Sequence, residues 1–242
     1  MAGKLIVVGT PIGNLSDFSP RAIETLQTCD FIAAEDTRVT VKLLNHFGIK
    51  KPMVSYFEHN KMERGDIICN RMEQGEVCVL VSDAGMPAIS DPGELLVAQC
   101  VQRNIPVYVV PGPTAVISAL AVSGLPTGRF TFEGFLSMNK KSRREHLEEV
   151  KKERRTMVFY EAPHKLASTL QDMLAAWGDR RIAIVREITK IHEEVIRTTL
   201  KEAVQKAKTY LQDGMSASEA SKKSAQETGY KKGDIYRLLN MK

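Results

Sequence analysis

The sequence is poor in the residues that staple a small fold. Its 242 residues hold four cysteines, Cys29, Cys69, Cys78 and Cys100, with no CxxC spacing and no histidine at ligand spacing. That argues against both a zinc site and a disulfide framework, and no metal is expected. Long apolar runs are missing too. The first run is only Leu5–Val8, too short for a signal h-region or a membrane span, and it reads as a first strand. With few thiols and no secretory leader, the expected compartment is the cytoplasm, away from membranes. Familiar nucleotide and hydrolase motifs are also absent. Gly9-Thr-Pro-Ile-Gly13 lacks the third glycine and the spacing of GxGxxG, and there is no GxxxxGK[ST], GxSxG or HExxH. This weighs against nucleotide hydrolysis, serine hydrolase chemistry and zinc proteolysis. No internal repeat or low-complexity tract is present.

What is there is ordinary globular composition, 43% hydrophobic and 26% charged, which excludes collagen-like, disordered and coiled-coil classes. A chain of this length buries roughly 70–75% of its unfolded surface. The net charge of +5 is uneven. Met138–Arg155 holds eight Lys/Arg against four Glu, and Lys201–Lys242 nine against five acids. Two basic segments on a mildly acidic body suggest a polyanionic partner such as nucleic acid. The alternative is two solvated lysine-rich helices.

Short apolar runs alternate with helix-period segments. Strands are predicted at Leu5–Val8, Phe31–Ala34, Met53–Tyr56, Val77–Val81 and Val107–Val110. Between them Ser19-Pro20 opens a helix with Ser as cap, Val39–Phe47 is a helix stopped by Gly48, and Met62–Gln74 is another. Asp91-Pro92-Gly93-Glu94 reads as a helix start with Asp91 as cap and Glu94 at the capping-box position. A further helix follows from Thr114. Such alternation means a mainly parallel sheet covered on both faces. Gly124–Gly128 reads as a linker. After it come strands at Phe130–Phe135, Thr156–Tyr160 and Ile182–Arg186, a further candidate at Glu193–Arg197, and helices at Lys140–Lys152 and Pro163–Trp177. From about Leu200 the chain reads as helical, with a capping box at Ser216–Glu219. The expected organisation is α/β, with a first domain over 1–123, a second α/β domain with a mixed sheet over 129–198, and a small helical module over 199–242.

Three glycine- and proline-rich turns stand at the carboxyl ends of predicted parallel strands: Gly9–Asn14, Ser82–Pro92 and Pro111–Thr114. Ligands of open parallel sheets bind at that edge, and small residues let them approach the backbone. The alternative is that these are simply tight strand-to-helix turns.

Five blocks carry a specific resemblance: Val7-Val-Gly-Thr-Pro-Ile-Gly-Asn-Leu15, Ala34-Glu-Asp-Thr-Arg38, Val81-Ser-Asp-Ala-Gly-Met-Pro-Ala-Ile-Ser-Asp-Pro-Gly93, Val110-Pro-Gly-Pro-Thr-Ala115 and Tyr160-Glu-Ala-Pro-His164. In that order they resemble the tetrapyrrole methylase superfamily and, within it, the branch that methylates small-subunit ribosomal RNA. The resemblance implies two α/β domains with S-adenosylmethionine (SAM) in the cleft between them, and a homodimer. It also implies SAM-dependent 2′-O-methylation of a cytidine (position 1402) in 16S ribosomal RNA, as naked RNA or in the assembled subunit. It suggests Asp83, Ala84, Gly85, Ala88, Ile89, Ser90, Pro111, Thr114 and Ala115 near the cofactor. Phe135, Leu136, Tyr160, Ala162 and Pro163 would join them from the second domain, with Thr10, Pro11 and Ile12 on the substrate side.

A ribose hydroxyl is a weak nucleophile, so a general base would help. The candidates are Glu35, Asp36, Glu161 and His164, with Asp36 and Glu161 ranked first. The alternative for Glu35-Asp36-Thr37 is a helix N-cap, and for His164 a half-buried first-turn residue. Arg38 could bind an RNA phosphate or pair with a neighbouring acid. Lys140, Lys141, Arg143 and Arg144, together with Lys222, Lys223, Lys231 and Lys232 of the tail, are the other expected RNA contacts. The tail reads as short helices like a helix-turn-helix. One departure stands out: Arg197 is followed directly by Thr198-Thr199-Leu200-Lys201, where relatives place a closing segment of the second domain. Two other readings remain open, a tetrapyrrole methyltransferase of the same fold and a non-enzymatic nucleic-acid-binding protein.

Overall fold

The structure is a computed structural model that describes residues 3–162, 165–199, 201–202, 217–228, 230–233 and 235–236. The chain divides into two compact units, Met1–Ala115 and Val116–Lys242.

The first unit is a five-stranded sheet in which every pairing is parallel. The strands are β1 (Lys4–Val8), β2 (Phe31–Ala34), β3 (Met53–Ser55), β4 (Val77–Val81) and β5 (Val107–Val110), in the order β3-β2-β4-β1-β5. Four helices follow β1 to β4 in turn: α1 (Pro20–Thr28), α2 (Thr37–His46), α3 (Lys61–Glu73) and α4 (Gly93–Gln102). Alternation along the strands sorts them between two faces. Leu5, Val7, Phe31, Ala33, Cys78 and Leu80 pack with Ile68, Cys69 and Met72 of α3 and Leu96 and Cys100 of α4. Val8, Ile32, Ala34, Val79, Val81 and Val110 pack with Ala22 and Leu26 of α1 and Leu44 of α2. All four cysteines are buried free thiols, used as small apolar residues.

This layout positions the site. The chain leaves β1 and β2 toward the α1/α2 face and leaves β4 toward the α3/α4 face. The strands on both sides of β4 therefore send their connections the opposite way, which opens crevices at its carboxyl end.

Local signals explain the helix starts. Ser19 caps α1, accepting from the Ala22 N–H at 3.1 Å. α2 begins at Thr37, two residues before its expected start, because Asp36 is its cap. α4 begins at Gly93 with Pro92 in the capping position. Asp91 Oδ1 accepts from the Gly93 N–H at 2.8 Å and reaches back to the Ala88 N–H at 3.0 Å.

The second unit begins with α5 (Ala115–Val122, whose first residue closes the first unit). It pairs β6 (Phe130–Phe135) with β7 (Thr156–Tyr160) in parallel and β8 (Ile182–Arg186) with β9 (Glu194–Thr198) antiparallel, so both senses of pairing are present. The register of β6 slips between Phe132 and Gly134, and Gly134 takes φ 63°, the left-handed conformation that suits glycine at a bulge. Among the described residues it also holds the helices α6 (Lys140–Glu149), α7 (Leu166–Trp177) and α8 (Ala217–Thr228). Past β9, Thr199 and Glu202 form a reciprocal capping box: Thr199 Oγ1 accepts from the Glu202 N–H, and Glu202 Oε2 from the Thr199 N–H, both at 3.2 Å. The chain therefore turns from Arg197 into a helix start at once. Leu170 of α7 shares a core with Tyr230 and Ile235, against which Ile182 and Ile184 of β8 and Ala225 of α8 pack. The C-terminal segments thus help to close this unit's core. Pro163, His164, Ser216 and Gly229 lie outside the described residues.

Candidate active site

The three small-residue turns meet at the carboxyl edge of the first sheet. The turns after β1 and β5 touch through backbone: a Cβ on Gly112 would sit 2.7 Å from the Gly9 Cα, so both positions require glycine. Thr10, after β1, exchanges backbone hydrogen bonds with Gly85, after β4, at 2.9 and 3.1 Å. Its buried hydroxyl donates toward the Ser82 carbonyl at 3.3 Å. The Ile12 side chain and the Pro113 carbonyl both lie within 3.6 Å of where a Gly85 Cβ would be. Residues predicted from separate turns are therefore neighbours.

The loop from Ser82 to Pro92 is unusual backbone. Gly85, Ala88 and Ser90 have φ of 89°, 66° and 68°, which costs about 1–2 kcal/mol for each non-glycine residue. The Asp91 carboxylate offsets this by holding both the Ala88 and Gly93 N–H groups. The loop leaves Asp83, Ala84, Ile89 and Ser90 exposed and Gly85 buried. Its small side chains let a ligand approach the backbone closely, and it carries no Lys or Arg to meet a phosphate. Pro111 is exposed and Thr114 and Ala115 are half-buried on the adjoining turn.

The end of β2 carries the acids. Asp36 Oδ1 accepts from the Arg38 N–H at 2.8 Å as the α2 cap. The Arg38 guanidinium grips the same carboxylate through Nε at 3.0 Å and Nη2 at 2.7 Å. This pairing holds Asp36 down to about 2. Asp36 is therefore a cap and an arginine partner, the alternative weighed from its sequence, and a group held so low is a weak base. Glu35 differs: burial first, and then the Asp83 charge, raise it above the ordinary carboxylate range. Partial burial raises Asp83 as well. Among the described residues no group of three or more His, Cys, Asp or Glu could hold a metal ion.

In the second unit Tyr160 packs its ring against Phe132 at 4.9 Å and Phe135 at 5.4 Å between centroids. Phe135 is 58% exposed and Leu136 is buried. Glu161 is occupied at both oxygens: Oε1 accepts from the Ala162 N–H at 2.8 Å and Oε2 from the Thr169 hydroxyl. Arg143 corrects a sequence expectation. It is buried rather than open to RNA, donating to Thr169 Oγ1 at 2.7 Å and pairing with Asp172 at 2.8 Å. Charge density suggested a phosphate contact, but Arg143 lies one turn before buried Leu147 on the same face of α6. Thr169 and Asp172 carried no sequence signal of their own, and that spacing was the available clue to them. Lys140, Lys141 and Arg144 do lie exposed. In the tail, Lys222, Lys223, Lys231 and Lys232 are exposed on segments whose Ser221, Ser224, Tyr230 and Ile235 are buried.

The family of tetrapyrrole (corrin/porphyrin) methylases matches residues 4–204. The chain belongs to the tetrapyrrole methylase family. Within it, the chain is 54% identical over 202 residues to the ribosomal RNA small subunit methyltransferase I of Halalkalibacterium halodurans, covering 84% of this chain and 70% of that protein. The protein of that name from Thermotoga maritima is 52% identical over 202 residues, covering 84% of this chain and 90% of its own. A crystal structure of the tetrapyrrole methylase uroporphyrin-III C-methyltransferase from Thermus thermophilus, complexed with S-adenyl homocysteine, superposes with a TM-score of 0.57. It is 19% identical and covers 83% of this chain and 90% of that one. That likeness shows the shared fold.

Proposed function

We propose that this protein transfers the methyl group of SAM to the 2′-hydroxyl of a cytidine in small-subunit ribosomal RNA. One observation carries the reading: an identity of 54% across 84% of the chain to a protein named for small-subunit ribosomal RNA methylation. The carboxyl-edge geometry supports it. In the first unit the small-residue loop at Asp83–Ser90 and the turn at Pro111–Ala115 form the donor-binding surface; Phe135, Leu136, Tyr160, Ala162 and Pro163 are the donor contacts proposed in the second. Thr10, Pro11 and Ile12 face the acceptor. The bound donor supplies an electrophilic methyl carbon. The chain's task is to hold donor and acceptor oxygen in line, which supplies on the order of 7–11 kcal/mol at best.

Of the acids weighed as bases, Glu35 suits the role best, since its raised carboxyl retains basicity that Asp36 has lost to Arg38. Arg38, held by Asp36 and 88% exposed, offers a fork to an RNA phosphate. Lys140, Lys141, Arg144 and the tail lysines extend that contact, with the assembled subunit or naked RNA as substrate. A homodimer is part of the reading. Its support is the edge strand β5, whose Tyr108 and Val109 are 57% and 54% exposed. A cytoplasmic location is part of it as well, and among the described residues no helix is long and apolar enough to cross a membrane. The tetrapyrrole alternative has only shared fold behind it, at 19% identity.

The test is mass spectrometry of 16S ribosomal RNA from cells with and without the protein. One ribose methyl on one cytidine should vanish with the gene and return on complementation. An unchanged RNA would refute the reading.

A further inference from the structure

Two residues expected to act separately, Glu161 as a base and Arg143 as an RNA contact, are ends of one hydrogen-bonded chain. Arg143 enters from α6 with its side chain 11% exposed. Its Nε pairs with Asp172 Oδ2 at 2.8 Å and its Nη2 donates to Thr169 Oγ1 at 2.7 Å. Thr169, 2% exposed on α7, donates a hydrogen bond from its hydroxyl to Glu161 Oε2. Glu161 Oε1 then accepts from the Ala162 N–H at 2.8 Å. The turn is tied a second time by the Lys165 N–H, which donates to the Ala162 carbonyl at 2.9 Å.

We propose that Arg143 and Thr169 are positioning residues: through Glu161 they set the Tyr160–Ala162 turn in the orientation that holds the methyl donor. This rests on the reading that the turn contacts SAM. The chemistry separates it from plain packing. Burying a guanidinium is costly, and an apolar side chain beside Leu147 would close the α6–α7 contact as well. An apolar residue could not orient the Thr169 hydroxyl toward Glu161 Oε2, leaving only the Ala162 N–H on Oε1 to hold the carboxylate. From Arg143 Nη2 through Thr169 to Glu161 each donor meets an acceptor, while Arg143 Nε meets Asp172 as an ion pair. Glu161, with both oxygens engaged, is a strut in this arrangement and takes no proton from the substrate.

The experiment uses the full-length protein with Thr169→Val, Thr169→Ser, Arg143→Lys and Glu161→Gln. It reads S-adenosylhomocysteine binding by calorimetry, melting temperature, and the kcat and KM of methylation with small ribosomal subunits. Thr169→Val keeps the shape and loses the hydroxyl, so its Kd should rise by about three- to tenfold, the worth of one hydrogen bond. Thr169→Ser keeps the hydroxyl and should bind as wild type. Glu161→Gln, which exchanges one accepting oxygen for an N–H donor, should likewise weaken S-adenosylhomocysteine binding. Arg143→Lys, which cannot serve Asp172 and Thr169 together, should match Thr169→Val and carries the test if that variant folds poorly. Wild-type affinity in Thr169→Val and Arg143→Lys would overturn the proposal. So would a Thr169→Ser as weak as Thr169→Val, which would mean packing, or an effect confined to KM for subunits, which would mean RNA contact. A wild-type protein that binds no S-adenosylhomocysteine would instead remove the donor reading underneath.

Discussion

The Asp83 carboxylate accepts a hydrogen bond from the Asp36 backbone N–H at 3.1 Å. This joins the carboxyl end of β4 to that of β2 at the crevice where their connections part. It also brings a second negative charge to Glu35, whose carboxyl burial has already raised and which Asp91 and Asp36 also face. If Glu35 takes the proton from the ribose hydroxyl, it works in its ionised form. Activity then falls as pH drops through its raised pKa. Asp83→Asn keeps an oxygen for the Asp36 N–H but removes the charge, so Glu35 should titrate lower and the acid limb of log kcat should move to lower pH. Glu35→Gln should abolish that limb and lower kcat by about 10²-fold or more. A pH profile unaltered in Glu35→Gln would exclude Glu35 as the base.

Gly9 and Gly112 face each other so closely that neither admits a side chain. Gly112→Ala places a Cβ 2.7 Å from the Gly9 Cα and 2.8 Å from its carbonyl oxygen. Backbone must move, at about 1–3 kcal/mol. Thermal denaturation should show a lowered melting temperature, and calorimetry a weakened S-adenosylhomocysteine complex. Wild-type values of both would mean that the two turns can part without consequence.

Arg38 is predicted to act on RNA alone. Arg38→Ala should weaken subunit binding and reduce the slope of log K against log salt by about one phosphate's worth. Donor affinity should stay the same. Arg38→Lys should recover only part of the loss, because an ammonium cannot reproduce the fork. Filter binding at several salt concentrations measures this.

The C-terminal segments have two sides with opposite expected phenotypes. Ile235 is 1% exposed, so Ile235→Ala should cost about 2–4 kcal/mol of stability in the second unit. Reversing Lys222, Lys231 and Lys232 to Glu should leave the melting temperature near wild type and weaken RNA binding steeply. Melting and binding assays on both variants separate the two roles.

Much of this architecture was legible from residue patterns. Phe31–Ala34, Val77–Val81, Thr156–Tyr160 and Ile182–Arg186 are strands at their expected bounds, because each is an apolar or β-branched run closed by a turn. The Ser19 cap and the Gly178 stop of α7 are local chemistry and were equally readable. Long-range facts were not. Nothing within Phe31–Ala34 says that it neighbours β4, so the Asp36–Asp83 bond and the environment of Glu35 needed the sheet order. Arg143 misled because charge reads as exposure, while its partners Thr169 and Asp172 lie 26 residues or more away along the chain. Glu35 and Asp36, just past β2, were recognised as a group, but which would pair with Arg38 depended on the cap geometry of α2.

The central claim is methyl transfer from SAM to a ribose oxygen of small-subunit RNA. Its most direct test incubates the purified protein with methyl-labelled SAM and small subunits from cells lacking the gene, then digests the RNA to nucleosides for mass spectrometry. The account predicts label in 2′-O-methylcytidine and in no other nucleoside. Label on a base, or RNA that stays unlabelled while a uroporphyrinogen offered in parallel becomes methylated, would contradict it.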